Sequence, residues 1–124
     1  MRSLKSFLYG LGDLHDGVVE SIRWSPESRS IEFSIRDIWI NFEGLPEYLG
    51  PTPGSITLKE ISSIKFEIDF LGKSLNIFEF SVLEEEDVSA VTIAFWPAGK
   101  IILHCRSAEF PDIQDMSTSN NIAE

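Results

Sequence analysis

From Gly17 onward the apolar residues of this chain recur at every second position, and no other feature limits its fold so tightly. A period of two gives a strand one face for a core and one for water, whereas a helix repeats every ~3.6 residues. Ile64, Phe66, Ile68 and Phe70 alternate with Lys65, Glu67 and Asp69. Earlier in the chain, Val18, Ile22 and Trp24 share one strand face, with Val19, Ser21 and Arg23 on the other. Glu20 falls among the apolar set. The clearest element is a hairpin: Val91, Ile93 and Phe95 lead into Trp96-Pro97-Ala98-Gly99, and Ile101 to Arg106 returns. Proline and glycine between two β-branched runs are a strong turn signal.

The breaks in this period are as informative as the period itself. Ile31, Phe33 and Ile35 are in phase, but Ile38, Ile40 and Phe42 lie one residue out of it. A bulge near Arg36-Asp37, or burial on both faces, accounts for the shift. A second shift at Glu60 to Ser63 separates a strand at Ser55 to Lys59 from the one at Ile64 to Phe70. Another strand runs from Ile77 to Leu83 through Phe78, Phe80 and Val82. Ser25-Pro26-Glu27-Ser28 is turn chemistry. Glu43 to Gly54 carries three prolines and three glycines, which excludes a central strand and marks a long loop, either a plain connection or a binding surface. Only the N-terminus has helical spacing: Leu4, Phe7, Leu8 and Leu11 fall on one face, with Ser3 as N-cap and Gly12 as stop.

The expected fold is therefore mainly β. An antiparallel sheet of about six to seven strands, strongly bent or sandwich-like, carries one short N-terminal helix. Residues 1–110 form a single domain and 111–124 a polar tail, since Ser117 to Asn121 has no alternation. The core is expected to bury Trp24, Phe33, Ile35, Phe66, Ile68, Phe80, Ile93, Phe95 and Leu103. For Phe66→Ala this predicts a loss of about 3–5 kcal/mol.

A chain of 124 residues is long enough for one ordinary core. The lone Cys105 forms no internal disulfide, which agrees with a reducing compartment. The run Phe7-Leu8-Tyr9 is too short for a signal peptide, and no stretch reaches the ~18 apolar residues of a membrane span. The expected location is cytoplasmic. A net charge of −10 disfavours nucleic acid and anionic membrane as partners and permits a basic protein partner; solubility alone is the other reading of such a surface.

Three groups of residues are candidates for chemistry. His15-Asp16 pairs an imidazole with a carboxylate, but neighbours on an extended chain point apart. The expected role is structural, with Asp16 accepting backbone N–H groups at the entry to the first strand. His104 and Cys105 also point to opposite faces, and with one cysteine in the chain and only His15 as a further histidine they make a poor start for a zinc site. Glu84, Glu85, Glu86 and Asp87 form the third group. From Glu67 to Asp87 there are seven acids against Lys73 alone. The run lacks the alternating ligands and the glycine of a calcium loop, so it reads as a solvated turn or as a patch that steers a basic protein. Phosphate-binding loops, nucleophile elbows and zinc-protease helices are absent from the sequence. No metal or cofactor is expected.

Leu14-His15-Asp16-Gly17, the strand Val18 to Trp24 and the later Asp37-Ile38-Trp39 resemble a group of small bacterial proteins that begin with an L/F-H-D-G/A motif. That group includes the immunity protein 50 family of polymorphic-toxin systems. Ser55 to Ile61 resembles the group's strand L-x-F-x-G-V, with Lys59 and Glu60 where that pattern has phenylalanine and glycine. The likeness covers roughly residues 14–106. It implies a cytosolic, non-enzymatic protein that binds and neutralises a cognate toxin. The alternatives are a scaffold subunit, or a small enzyme in which His15 and His104 converge on one cleft.

Overall fold

The computed structural model describes residues 3–38, 51–68 and 75–111 of the chain. Within them the protein is one antiparallel sheet with a short helix packed against it. The helix α1 spans Leu4–Gly10, and Ser3 caps it by accepting a hydrogen bond from the Ser6 backbone N–H at 3.1 Å. The strands are β1 (Val18–Ser25), β2 (Ser30–Ile35), β3 (Gly54–Lys59), β4 (Ser63–Glu67), β5 (Leu75–Glu85), β6 (Val88–Trp96), β7 (Lys100–Cys105) and β8 (Ser107–Glu109). Their order across the sheet is β4-β7-β6-β5-β1-β2-β3-β8.

The mainly-β expectation holds, with eight strands in place of six or seven. The additional strand is β8, which, like β4, arises where a longer strand breaks once. β4 continues β3 past residues 60–62, and β8 continues β7 past Arg106. Lys59 pairs with Ser107 and Ser63 with His104, so three residues face two across a bulge. Glu60 adopts φ 53° there, and the Ser62 N–H donates to the His104 carbonyl at 2.9 Å. The two ends of the sheet thus belong to strands that run inside it. The result is one sheet coiled round its core rather than two stacked sheets.

The core is the inner face of that coil. Ile31, Phe33 and Ile35 of β2 pack with Ile56 and Leu58 of β3, Ile77 and Phe80 of β5, Val91, Ile93 and Phe95 of β6, and Ile101 and Leu103 of β7. α1 adds Leu4, Phe7 and Leu8, and Phe7 stacks on Phe110 with ring centroids 4.4 Å apart. Six of the nine expected core residues are buried: Phe33, Ile35, Phe80, Ile93, Phe95 and Leu103. Trp24 and Phe66 are not, at 48% and 38% exposure, and Ile68 is only half-buried. Their register explains this. Trp24 pairs with Ile31 and Phe66 with Ile101, so both start from the inner face. But β4 has a strand on one side only, and β1 pairs with β5 only at Val18 and Val19. The two rings lie past the closed part of the coil and cover each other edge to face at 5.3 Å.

Two expected phases also shift. β1 carries a bulge between Val19 and Ser21, which turns Val19 inward and Glu20 out to meet Arg36 at 2.9 Å. Val18 therefore does not share the face of Ile22 and Trp24. β2 ends at Ile35, so the phase change near Arg36-Asp37 is the chain leaving the sheet. The Asp37 carboxylate accepts the Thr52 N–H at 3.0 Å, tying the two ends of the connection together. Ile40, Phe42 and most of the Glu43–Gly54 loop lie outside the described residues, as do Phe70 and the tail from residue 112. Among the described residues, no helix is long and apolar enough to cross a membrane.

Candidate functional site

The chain enters the sheet through an unusual turn. Gly12, Asp13, Leu14 and Asp16 have φ of 60°, 54°, 58° and 69°. Left-handed backbone costs a side-chain-bearing residue roughly 1–2 kcal/mol, least for Asp and Asn. Leu14 tolerates it because its side chain is fully buried. Strain of this kind persists only where the surroundings enforce it, and it concentrates at functional sites.

What enforces it here is β5. The Asp16 N–H donates to the Ile77 carbonyl and the Ile77 N–H to the Gly17 carbonyl, both at 2.8 Å. Next to them β5 carries a bulge, because Ile77 pairs with Phe95 but Glu79 with Ala94. Phe78 is the extra residue, and a bulge leaves its extra residue outside the ladder. His15 supplies the missing partner: its Nδ1–H donates to the Phe78 carbonyl at 2.9 Å. A carbonyl only accepts, so this bond fixes the proton on Nδ1. The ring also meets Phe78 edge-on, at 5.9 Å.

The L-H-D-G segment thus has a physical reading, residue by residue. Leu14 anchors the turn in the core, His15 clamps the bulge, Asp16 takes the left-handed φ, and Gly17 leaves room for the Leu14 carbonyl. The expectation that His15 and Asp16 point apart is corrected, because the turn brings Asp16 Oδ1 to 3.7 Å from His15 Nε2. His15→Ala should lower stability by about 1 kcal/mol, the usual worth of such a bond. Urea unfolding checks this, and an unchanged midpoint would mean that the clamp is idle.

The bulge turns Phe78 outward, where alternation alone sets it beside Phe80 in the core. Phe78 is 56% exposed and Trp96, at the end of the last hairpin, 64%. Together with His15, Asp16 and Asn76 they line a groove of about 380 Å³ on the outer face of the sheet. Trp96 lies directly across the ladder from Asn76. Sequence reasoning did not single out Phe78, Trp96 or Asn76. Only Trp96 carried a local signal, its place at a hairpin turn. A second groove, between β1 and β4, is lined by Val19, Ile22, Phe66, Ile68 and Leu75 among others. It is apolar, and its one charged group, Glu20, is already paired with Arg36.

The remaining candidates are spread apart. His104 accepts or donates a bond with Ser63 Oγ at 2.9 Å across β4 and β7, and none of the ion pairs among the described residues includes it. It pairs with Ala90, six residues along β6 from Trp96, which at the rise of a strand is roughly 20 Å. His15 and His104 therefore do not share a cleft. Burial raises the Cys105 thiol above its ordinary pKa, and no group of three or more metal-ligating side chains occurs among the described residues.

Glu84, Glu85, Glu86 and Asp87 are all exposed at the tip of the β5–β6 hairpin. Glu67 does not belong with them. It lies on β4, three strands from β5, where the Lys65 ammonium, and Lys100 from β7, hold its carboxyl below the ordinary range. The acidic patch is thus the hairpin tip, and Asp69 lies outside the described residues.

No protein-family model matches the sequence, and no curated protein matches it. Among solved structures, the chain is similar to an uncharacterized protein from Neisseria gonorrhoeae, with a TM-score of 0.52 and 14% identity. The match covers 80% of this chain and 93% of that one. At that identity the similarity is one of fold: the coiled antiparallel sheet is an arrangement that a second natural protein also adopts.

Proposed function

We propose that this chain is a non-enzymatic protein-binding domain, and that its partner is a basic protein of the kind an immunity-type inhibitor neutralises. The observation that carries the reading is the exposed pair Phe78 and Trp96 beside a strained, clamped turn. Large aromatics are the commonest anchors of protein interfaces, and a soluble domain gains nothing by leaving two of them in water at one groove. The net charge of −10 and the bare acidic hairpin tip supply the sign of the partner. The separation of the two histidines weighs against the enzymatic alternative, which needed both in one cleft.

The test is co-expression of the chain with the product of a neighbouring gene. The proposal expects that product to arrest growth alone, and to be rescued through a stoichiometric complex with this chain. A harmless neighbour, or rescue without a complex, counts against the immunity reading.

Such a complex also tests the hairpin tip. Replacing Glu84, Glu85 and Glu86 together with glutamine should slow association several-fold at low salt and change dissociation less. The difference should close as salt rises, because exposed charges are screened over ~8 Å at physiological ionic strength. Stopped-flow mixing at two salt concentrations gives both rates. An association rate equal to that of the unmodified chain at low salt removes the tip from the interface.

A further inference from the structure

We infer that the groove lined by Asp16, Phe78 and Trp96 is a receptor for an arginine side chain on an exposed loop of the basic partner. This rests on the protein-binding reading and adds the chemistry of what is bound.

The groove combines two features that seldom meet. Its walls are aromatic and open to solvent, and at its rim stands the Asp16 carboxylate, 72% exposed. Phe78 and Trp96 line the same space without stacking on each other, since Phe78 meets only the His15 ring among the described aromatic contacts. An apolar side chain placed between them would gain from the rings but would strip water from the carboxylate without replacing its hydrogen bonds. An acidic side chain would meet repulsion from Asp16 and from the chain as a whole. A cation satisfies both features, because the face of an indole or phenyl ring attracts positive charge.

Between the two cationic side chains the geometry favours arginine. Its flat guanidinium stacks on an aromatic face while its N–H fork reaches a carboxylate, whereas lysine offers a compact, strongly hydrated point charge. The site is also built ahead of any ligand. The turn that holds Asp16 is fixed to β5 by two backbone bonds, and the bulge that presents Phe78 is clamped by His15. Binding therefore orders little that is not already ordered.

The test is an NMR titration of the full chain with a blocked tripeptide Gly-Arg-Gly and with its citrulline counterpart, which keeps the shape and loses the charge. The arginine peptide should shift the Trp96 indole N–H and the amides of residues 15–16 and 76–78 saturably. The citrulline peptide should bind roughly tenfold more weakly. Asp16→Asn, which tolerates the left-handed φ, should weaken arginine binding by about three- to tenfold and erase the preference over citrulline. Trp96→Leu should abolish the response. Equal binding of the two peptides, a lysine peptide as tight as the arginine one, shifts centred on Glu84–Asp87, or no saturable shift would each overturn the inference. The outcomes separate from those of the broader reading. A chain that binds the arginine peptide but no neighbouring gene product keeps the site and loses the immunity role. A complex untouched by Trp96→Leu does the reverse.

Discussion

Phe33→Ala is expected to cost about 3–5 kcal/mol, a large part of the stability of a domain this size. Phe33 sits in the middle of β2, 1% exposed, with Ile22 of β1 opposite it on one side and Ile56 of β3 on the other. Both neighbours are held by continuous ladders, so neither can collapse into the space that the ring leaves. The cost of such a deletion grows with the cavity that remains, and here the cavity stays open. Chemical denaturation should show the midpoint falling with the slope nearly unchanged. A loss below ~1 kcal/mol would mean that the coil relaxes around the site in a way these ladders do not allow. Phe66→Ala is the comparison. The ring is 38% exposed and rests edge-on against Trp24, so its removal should cost only about 1–2 kcal/mol. Alternation alone ranks the two phenylalanines as equals; the burial difference separates them.

That contrast shows which part of the fold was legible. Alternation marked β2, β3, β6 and β7 as strands, because each is buried on one face and only partly covered on the other over most of its length. The helix was legible from Ser3 and the spacing of Leu4, Phe7 and Leu8, and the turn after β1 from Pro26 and its serines. The bulges at Glu20 and Phe78 were not. Each is accompanied by a contact distant in sequence, Glu20 with Arg36 and Phe78 with His15, and nothing in the residues flanking a bulge announces its partner. β8 was missed because three residues of mixed polarity carry no period.

The site suffered most from this. His15 and Asp16 stood out as a pair, but their aromatic companions Phe78 and Trp96 joined them only through a bulge and a ladder pairing, which the fold supplies. The acidic run failed in the opposite direction. A count along the chain joined Glu67 to Glu84–Asp87, but the sheet sets β4 three positions away from β5 and gives Glu67 two lysines. Charge adjacent in sequence became a patch only where a hairpin turn kept it together.

Gly17→Ala is expected to lower stability by about 2–3 kcal/mol although it adds a single methyl group, the upper range for overpacking one site. A β-carbon at this position would lie 2.9 Å from the Leu14 carbonyl oxygen, with Ile35 and Ile77 side chains at 3.6 and 3.7 Å behind it. The oxygen cannot swing away, since it accepts the Gly17 N–H at 2.8 Å and belongs to a residue whose side chain is fully buried. Nor can Gly17 retreat, because its own carbonyl accepts the Ile77 N–H and Asp16 donates to the Ile77 carbonyl. Relief must come from the strained turn itself. The damage should therefore reach the groove: Asp16 shifts, the His15 clamp on the bulge loosens, and Phe78 loses its fixed exposure. Gly10→Ala is the control, with nothing within 4 Å of the added carbon and a helical site where alanine is at least as good as glycine. Thermal unfolding of both variants, with the Trp96 indole resonance as a local probe, gives the two readings at once. A Gly17→Ala protein as stable as the Gly10→Ala one, with that resonance unmoved, would show that the turn has slack and that Gly17 is not the residue that holds it.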